Sequence, residues 1–368
     1  MIDTELEEYY RHLFVSDLPL LDVRAPVEFV RGAFPMATNL PLLNDEERSE
    51  VGSCYKIFGQ EAAIELGHTL ISGDIKSARI EQWRYYLQKH PEAHLYCFRG
   101  GLRSRTTQQW LAEQGIDVPL IPGGYKAMRT FLLKQFETLT NKREVFVLGG
   151  YTGVGKTTVI NQLRGGVDLE GYAKHRGSSF GQRAEAQPSQ INFENALAVD
   201  VLKKNHQNCR SFVFEDEGRI IGRCAVPLEL LSKIRSAPMV LLRAEFSERV
   251  NAIYQEYVCG IDNRILLHGP EAENKQALYL LGSLQKIKKR LGGSAHDRIE
   301  HLMRSALAED ALSSDGRGGK LFHEQWIADL LTHYYDKMYD YQLSQKQNKV
   351  VFCGNYAEVL AWFEANGN

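Results

Sequence analysis

The chain has 368 residues, 43% of them hydrophobic and 24% charged, so it can bury cores for about two domains and is not disordered. Lys and Arg number 44 against 46 Asp and Glu, a net charge of −2, which excludes the overall basicity of a histone-like nucleic-acid binder but leaves room for a local basic face. No apolar run approaches the ~18–20 residues of a membrane span, and the opening MIDTELEEYY is acidic without an apolar core, so neither a membrane partner nor a secretory signal is expected and the predicted location is cytoplasmic. Cys54, Cys97, Cys209, Cys224, Cys259 and Cys353 are scattered, with no C-x-x-C pair, which argues against zinc and against a disulfide framework.

The fold class expected is α/β, in two halves. In the first (14–138), PLLDVR reads as a buried strand with a polar exit, and 25–31 as a short helix stopped by Gly32. Residues 45–66 and 75–89 have helical spacing, HLYCF (94–98) is a short strand, and 103–114 is a helix ended by Gly115. A strand at 118–121 runs into the turn Pro122-Gly123-Gly124. Strands alternating with helices predict a parallel sheet. The second half (143–368) opens with the strand EVFVL, a glycine-rich loop and a helix, with further strands at 211–214 and 239–242. From about 271 to 345 the pattern is helical and rich in Lys, Arg and Tyr, interrupted by a loop at 313–319. A last strand (350–352) and a closing helix (356–364) follow.

Cys97 ends a predicted strand and precedes Phe98-Arg99-Gly100-Gly101-Leu102-Arg103-Ser104, which opens a helix. The glycines let the backbone curl into an N–H nest, and the helix N-terminus adds partial positive charge. Arg99 or Arg103 can supply a bidentate fork for an oxyanion, and the same field favours a thiolate at Cys97. Around this loop the chain resembles the rhodanese family, through Asp22-Val23-Arg24, Glu28-Phe29, Gly32-Ala33-Phe34-Pro35 and Asn39-Leu40-Pro41 in order. That resemblance implies a rhodanese-like domain in which Cys97 holds transferred sulfur as a persulfide. The Cys-x5-Arg spacing from Cys97 to Arg103 is longer than the usual sulfur-transfer loop and similar to that of related cysteine phosphatases, which suggests a larger, phosphate-containing donor. Cys54 has no basic or glycine-rich surroundings and reads as structural.

Gly150-Tyr151-Thr152-Gly153-Val154-Gly155-Lys156-Thr157 matches G-x-x-x-x-G-K-[ST] between a predicted strand and a helix, the context this motif requires. Gly150, Thr152, Gly153, Gly155, Lys156, Thr157 and Thr158 are the expected diphosphate-binding residues, with Thr157 a ligand for Mg2+. The motif reports a diphosphate rather than a base. The strand Phe212-Val213-Phe214 delivers Glu215-Asp216-Glu217, and Glu215 and Asp216 are equal candidates for the acidic partner. His175-Arg176-Gly177-Ser178-Ser179-Phe180-Gly181 is a polar loop suited to closing over the site, with His175 as acid, Arg176 as anion clamp and Ser178 beside them.

Residues 283–304 hold six basic residues (Lys286, Lys288, Lys289, Arg290, Arg298, Arg304) against Asp297 and Glu300, a net +4. With Tyr334, Tyr335, Tyr339 and Tyr341 as stacking surfaces, this segment is the candidate RNA contact, through Lys286, Lys288, Lys289, Arg290 and Arg298.

A rhodanese-like half joined to a P-loop half, with the 175–181 loop and the acidic strand, resembles the tRNA 2-selenouridine synthase family from end to end. The resemblance implies a transferase acting on the wobble uridine in the anticodon region of tRNA. It would replace the sulfur of 2-thiouridine by selenium from selenophosphate, through an S-geranyl intermediate made from geranyl diphosphate. It also implies Mg2+ at the P-loop, no organic cofactor, and transient contact with the selenophosphate-producing enzyme. Within the implied chemistry, Cys97 is catalytic, and Arg99, Gly100, Gly101, Arg103 and Ser104 bind selenophosphate. The alternative from the motifs alone is a cysteine phosphatase fused to a P-loop kinase acting on small molecules.

Overall fold

The structure is a computed structural model that describes residues 4–183, 185–260, 272–313 and 317–366. Residue 271, at the start of the predicted helical segment, and 314–316 of its predicted loop lie outside the described residues. The chain divides into two compact α/β units, each built on a parallel sheet.

The first unit runs through Thr138 and also takes in Ser189–Gln207. Its sheet has the order β2-β1-β3, with β1 at Leu20–Asp22, β2 at Ala37–Asn39 and β3 at His94–Tyr96, all parallel. The strand expected at 118–121 contributes only a single bridge, Leu120 to Leu95. Leu21, Val23, Leu95 and Cys97 pack with Trp83, Trp110 and Leu111 in one core. The Asp22-Val23-Arg24 motif serves this core: Arg24 is buried, its Nη2 lies 2.5 Å from the Asp22 carboxylate, and it donates to Gly32 O at 2.8 Å. The helix expected at 45–66 is two helices, Asp45–Phe58 and Gln60–Leu70, because Gly59 between them has φ +87°. Asn44 caps the first, accepting from the Glu47 N–H while Glu47 accepts from the Asn44 N–H.

Helix Gln190–His206 falls inside the second domain read from sequence, 143–368, yet packs in the first compact unit. It belongs to the first unit, where Asn195 donates to Ala33 O at 2.8 Å and accepts from Arg129 at 2.6 Å, and Arg129 also pairs with Glu194.

The second unit comprises Leu139–Pro188 and the chain from Asn208 onward. Its five parallel strands have the order β10-β9-β4-β6-β5. They are β4 (Glu144–Gly149), β5 (Gly166–Val167), β6 (Ser211–Glu215), β9 (Met239–Leu242) and β10 (Val350–Gly354), while β7 (Ile220–Ile221) and β8 (Cys224–Ala225) pair in a separate ribbon. β4 and β6, central in the order, are nearly all buried, as strands covered on both faces must be. The basic segment is broken at Gly292 (φ +89°) into Ala272–Leu291 and Gly293–Leu312, followed by Lys320–Leu330, a π-helical turn at Leu331–Tyr335 and Asp336–Ser344. These helices bury Leu280, Leu284, Ile299, Met303, Trp326 and Ile327 together. No helix among the described residues is long and apolar enough to cross a membrane.

Candidate functional site

β3 stops at Tyr96 and the next helix starts at Leu102, so the loop between begins at Cys97. Two glycines give it its shape. Gly100 has φ +65°, and Gly124 (φ +57°) approaches so closely that a Cβ there would lie 2.3 Å from the Cys97 carbonyl oxygen. The N–H groups of Tyr125 and Lys126 donate to the carbonyls of Cys97 and Phe98 at 2.9 and 3.0 Å, pinning the loop to the start of helix Gly124–Lys142.

Cys97 is 3% exposed, with its Sγ 3.2 Å from Ser104 Oγ. Burial pushes the thiol up. Hydrogen bonds from the Ser104 side chain and from the amides of Ser104 and Arg99, with the charge of Arg103, more than offset it and leave the thiol below its ordinary value. Arg103 is engaged in a fork to Glu28, at 2.5 and 3.2 Å, and Arg48 reaches the same carboxylate at 3.2 Å. Burial raises the Glu28 carboxyl, but Arg103 more than offsets it, so Glu28 is the charged partner. Arg103 is therefore already paired, and an oxyanion would have to displace Glu28 to reach it. Arg99 is exposed, its guanidinium 6.0 Å from the Phe98 ring centroid. Over the loop opens a cavity of about 780 Å³ that Cys97, Arg99, Gly101 and Arg103 share with apolar side chains. Ser53 and Tyr55 line it and Cys54 does not.

In the second unit, β4 delivers the loop 150–155 and helix Lys156–Gln162. Gly150, Gly153 and Gly155 all have positive φ, which wraps the backbone as phosphate binding requires. Lys156 Nζ donates to Gly150 O at 2.9 Å, folded over its own loop. Thr157 and Thr158 follow in the first turn, and Thr157 Oγ1 donates to Glu215 Oε1 at 2.9 Å. This contact separates the two acidic candidates. Glu215, at the end of β6, faces the P-loop, whereas Asp216 is taken by Lys346 and by the Tyr339 hydroxyl at 3.2 Å. Burial, Asp168 and Glu217 raise the Glu215 carboxyl to about 7. Burial and the charges of Glu215 and Glu217 raise Glu170 to about 10. Glu217 is raised as well, first by burial, while Lys156 pulls it back.

Arg249 and Glu170, which the sequence did not single out, and Tyr339, expected from sequence only as a stacking surface, also shape this loop. Tyr339 accepts from the Gly150 N–H at 2.7 Å. Arg249 donates to Thr152 O at 3.0 Å, lies 4.9 Å from the Tyr151 ring centroid and is held by Asp336 at 2.5 Å. Glu170 adds its carboxylate from helix Leu169–Ala173. Tyr339 and Arg249 come from sequence remote from the P-loop, Glu170 lies 13 residues beyond Thr157, and none belongs to its motif.

The 175–181 loop lies in the same unit. His175 donates its backbone N–H to Glu170 O at 3.0 Å, and its ring is pushed below the ordinary histidine value by burial, then by Lys286 and Arg183. Arg176 pairs with Glu256 and lies 5.2 Å from the Tyr257 ring centroid, so it is committed elsewhere and is not arrayed as an anion clamp. Ser178 and Phe180 join Thr152, Tyr257, Trp326 and Tyr335 around an apolar slot of about 20 Å³. Lys286, Lys288, Lys289 and Arg290 are exposed, and Arg298, also exposed, pairs with Asp329 at 2.8 Å. Tyr334 and Tyr335 are buried in the helical core and so cannot stack on bases, while Tyr341 is exposed.

Residues 143–368 match the family model described as the tRNA 2-selenouridine synthase AAA domain. A tRNA 2-selenouridine synthase of Pseudomonas fluorescens strain Pf0-1 is 50% identical over 361 residues, 97% of both chains. The chain belongs to the tRNA 2-selenouridine synthase family. Synthases of that name from Marinobacter nauticus and Photobacterium profundum are 48% and 46% identical over 357 residues, 96% of this chain in each case and 96% and 97% of the relatives. The tRNA 2-selenouridine synthase likeness thus spans both loops described above.

Proposed function

We propose that this protein converts 2-thiouridine at the wobble position of tRNA to 2-selenouridine in two reactions. In the first, the thiocarbonyl sulfur attacks C1 of geranyl diphosphate, the S–C1 bond forms, the C1–O bond breaks and diphosphate leaves. In the second, selenium of selenophosphate forms a bond to C2, the C2–S bond breaks, and geranylthiol leaves with a proton from water. Water then cleaves the Se–P bond to give phosphate and 2-selenouridine. S-alkylation is what makes the sulfur a competent leaving group.

The observation that carries this reading is the presence of two separate anion loops with different chemistry. One holds a buried thiol below its ordinary value beside Arg103; the other is a P-loop with Lys156 and Thr157. The first suits selenophosphate, with Cys97 positioning or accepting selenium, Arg99 and Arg103 meeting the oxyanion, and Gly100, Gly101 and Ser104 giving the loop its shape. The second suits a diphosphate leaving group, whose developing charge Lys156 and the loop amides of Gly153 and Gly155 would stabilise. Thr157 and Glu215 fit a Mg2+ ion: they present a hydroxyl and a carboxylate to one point, beside Glu170 and Glu217, whose carboxyls are raised first by burial and then by neighbouring carboxylates. When bound, such an ion supplies charge neutralisation to the diphosphate. The exposed Lys286, Lys288, Lys289 and Arg290 would contact tRNA phosphates.

The test is mass spectrometry of nucleosides from 2-thiouridine-containing tRNA incubated with the protein, geranyl diphosphate and selenophosphate. S-geranyl-2-thiouridine should appear with geranyl diphosphate alone, and 2-selenouridine when both are present. Hydrolysis of phosphate esters with no requirement for RNA, and neither product, would replace this reading by the cysteine phosphatase.

A further inference from the structure

The cavity above Cys97 is larger and more apolar than an inorganic anion requires. At about 780 Å³ it falls in the range of sites for organic ligands. Cys97, Arg99 and Arg103 line it together with the helix pair Asp45–Phe58 and Gln60–Leu70, which adds the apolar side chains of Val51, Tyr55 and Ile64 beside the polar ones of Arg48, Lys56 and Gln60. Tyr55 and Ile64 are 57% and 36% exposed, although burial of such side chains is favourable. A thiosulfate sulfurtransferase or a phosphatase needs the cradle alone. An apolar wall beside it calls for a reactant with an anion at one end and a hydrocarbon at the other.

We propose that this cavity holds the prenyl chain of the S-prenyl-2-thiouridine while selenium displaces it. The proposal rests on the function above and locates the leaving group within it. Cys97 is buried, so C2 must come down to the loop for selenium to reach it. The departing sulfur is one bond from C2, so its ten-carbon chain must enter the same cavity. The apolar slot of the second unit, beside Thr152, is about 20 Å³ and does not admit such a chain, and the cavity of about 630 Å³ bounded by Arg24, Arg31 and Arg129 is not lined by Cys97. As the C2–Se bond forms and the C2–S bond breaks, the electron pair leaves on sulfur, the thiolate takes a proton from water, and the hydrocarbon stays against Tyr55 and Ile64.

The experiment uses the full-length protein, selenophosphate, and anticodon stem-loop RNA carrying either S-geranyl- or S-methyl-2-thiouridine. The wild type should convert the geranyl substrate with kcat/KM about 10²-fold or more above the methyl one. Ile64→Asp and Tyr55→Ala should each cut that ratio by about tenfold or more through the geranyl substrate alone, with geranyl transfer from geranyl diphosphate unchanged as the check of folding. An unchanged ratio in both variants would overturn the proposal. In the wild type, geranylthiol should also protect Cys97 from iodoacetamide, and absence of protection would overturn it whatever the variants do. A wild type that converts neither RNA would instead remove the proposed function, and this inference with it.

Discussion

Thr157 and Glu215 meet across 2.9 Å, hydroxyl donating to carboxylate, at the point where the P-loop helix begins and β6 ends. The two are 58 residues apart in sequence and adjacent because β4 and β6 pair in parallel register, Leu148 opposite Glu215. Carboxylates at the ends of parallel strands are where α/β sheets place ligand chemistry.

Lys156→Ala removes the point charge proposed to meet the diphosphate. Geranyl transfer should fall by about 10²–10³-fold. Conversion of pre-geranylated tRNA should persist, because the proposed function assigns it to the cysteine loop. Normal geranylation by this variant would assign the P-loop to another task.

Cys97→Ala should abolish selenium incorporation and leave geranyl transfer largely intact, so that geranylated tRNA accumulates. The measurement is the nucleoside composition of tRNA after incubation with both co-substrates. Loss of both activities in a folded variant would refute the division of labour between the loops.

Glu28→Gln removes the carboxylate that engages Arg103. The full charge of Arg103 then bears on the thiol, which is already below its ordinary value, so the pH midpoint of Cys97 alkylation should move lower still. A midpoint that stays put would mean that Arg103 has no electrostatic hold on Cys97.

The acidic group at the P-loop predicts a pH dependence of stability. Glu215 and Glu170 are raised to about 7 and about 10, so the folded chain holds protons that the unfolded chain has released above the ordinary carboxylate value of 4.5. Stability from these groups is therefore greatest at low pH and falls as pH climbs through that window. Glu170→Gln should raise the Tm more at about pH 8.5 than at about pH 5. An equal change at both would indicate that Glu170 gives up its proton in the folded chain as it does in the unfolded one.

Changing Lys288, Lys289 and Arg290 to Ala should weaken binding to all tRNAs alike, and each lost phosphate contact should lower the log–log salt slope by about 0.7–0.9. Substrate choice should hardly move, because phosphate contacts position rather than specify. Equal affinities and parallel slopes would make this stretch a solvated helix face.

Both loops were legible because their chemistry is local: glycines, a Cys or Lys, and a helix start lie within eight residues. The parallel α/β character followed from strands alternating with helices. What was not legible was supplied from a distance. Glu28 on Arg103, Tyr339 on Gly150 and Arg249 on Thr152 depend on tertiary packing and leave no spacing to read. Tyr334 and Tyr335 misled for the complementary reason: Tyr residues in a basic helical stretch look the same whether they face solvent or the core, and these face the core. The break at Gly59 was visible as a glycine but not as a positive φ.

Helix Gln190–His206 also decides how this protein can be dissected. A fragment ending at Thr138 lacks Glu194 and Asn195, leaving Arg129 without its carboxylate partner and Ala33 without a donor. The reciprocal fragment, starting near 139, carries a helix whose buried Leu197, Ala198 and Val201 have lost their covering. Neither half is a continuous stretch of the gene, so domain swaps between relatives, split expression and limited proteolysis should respect three crossings of the chain rather than one.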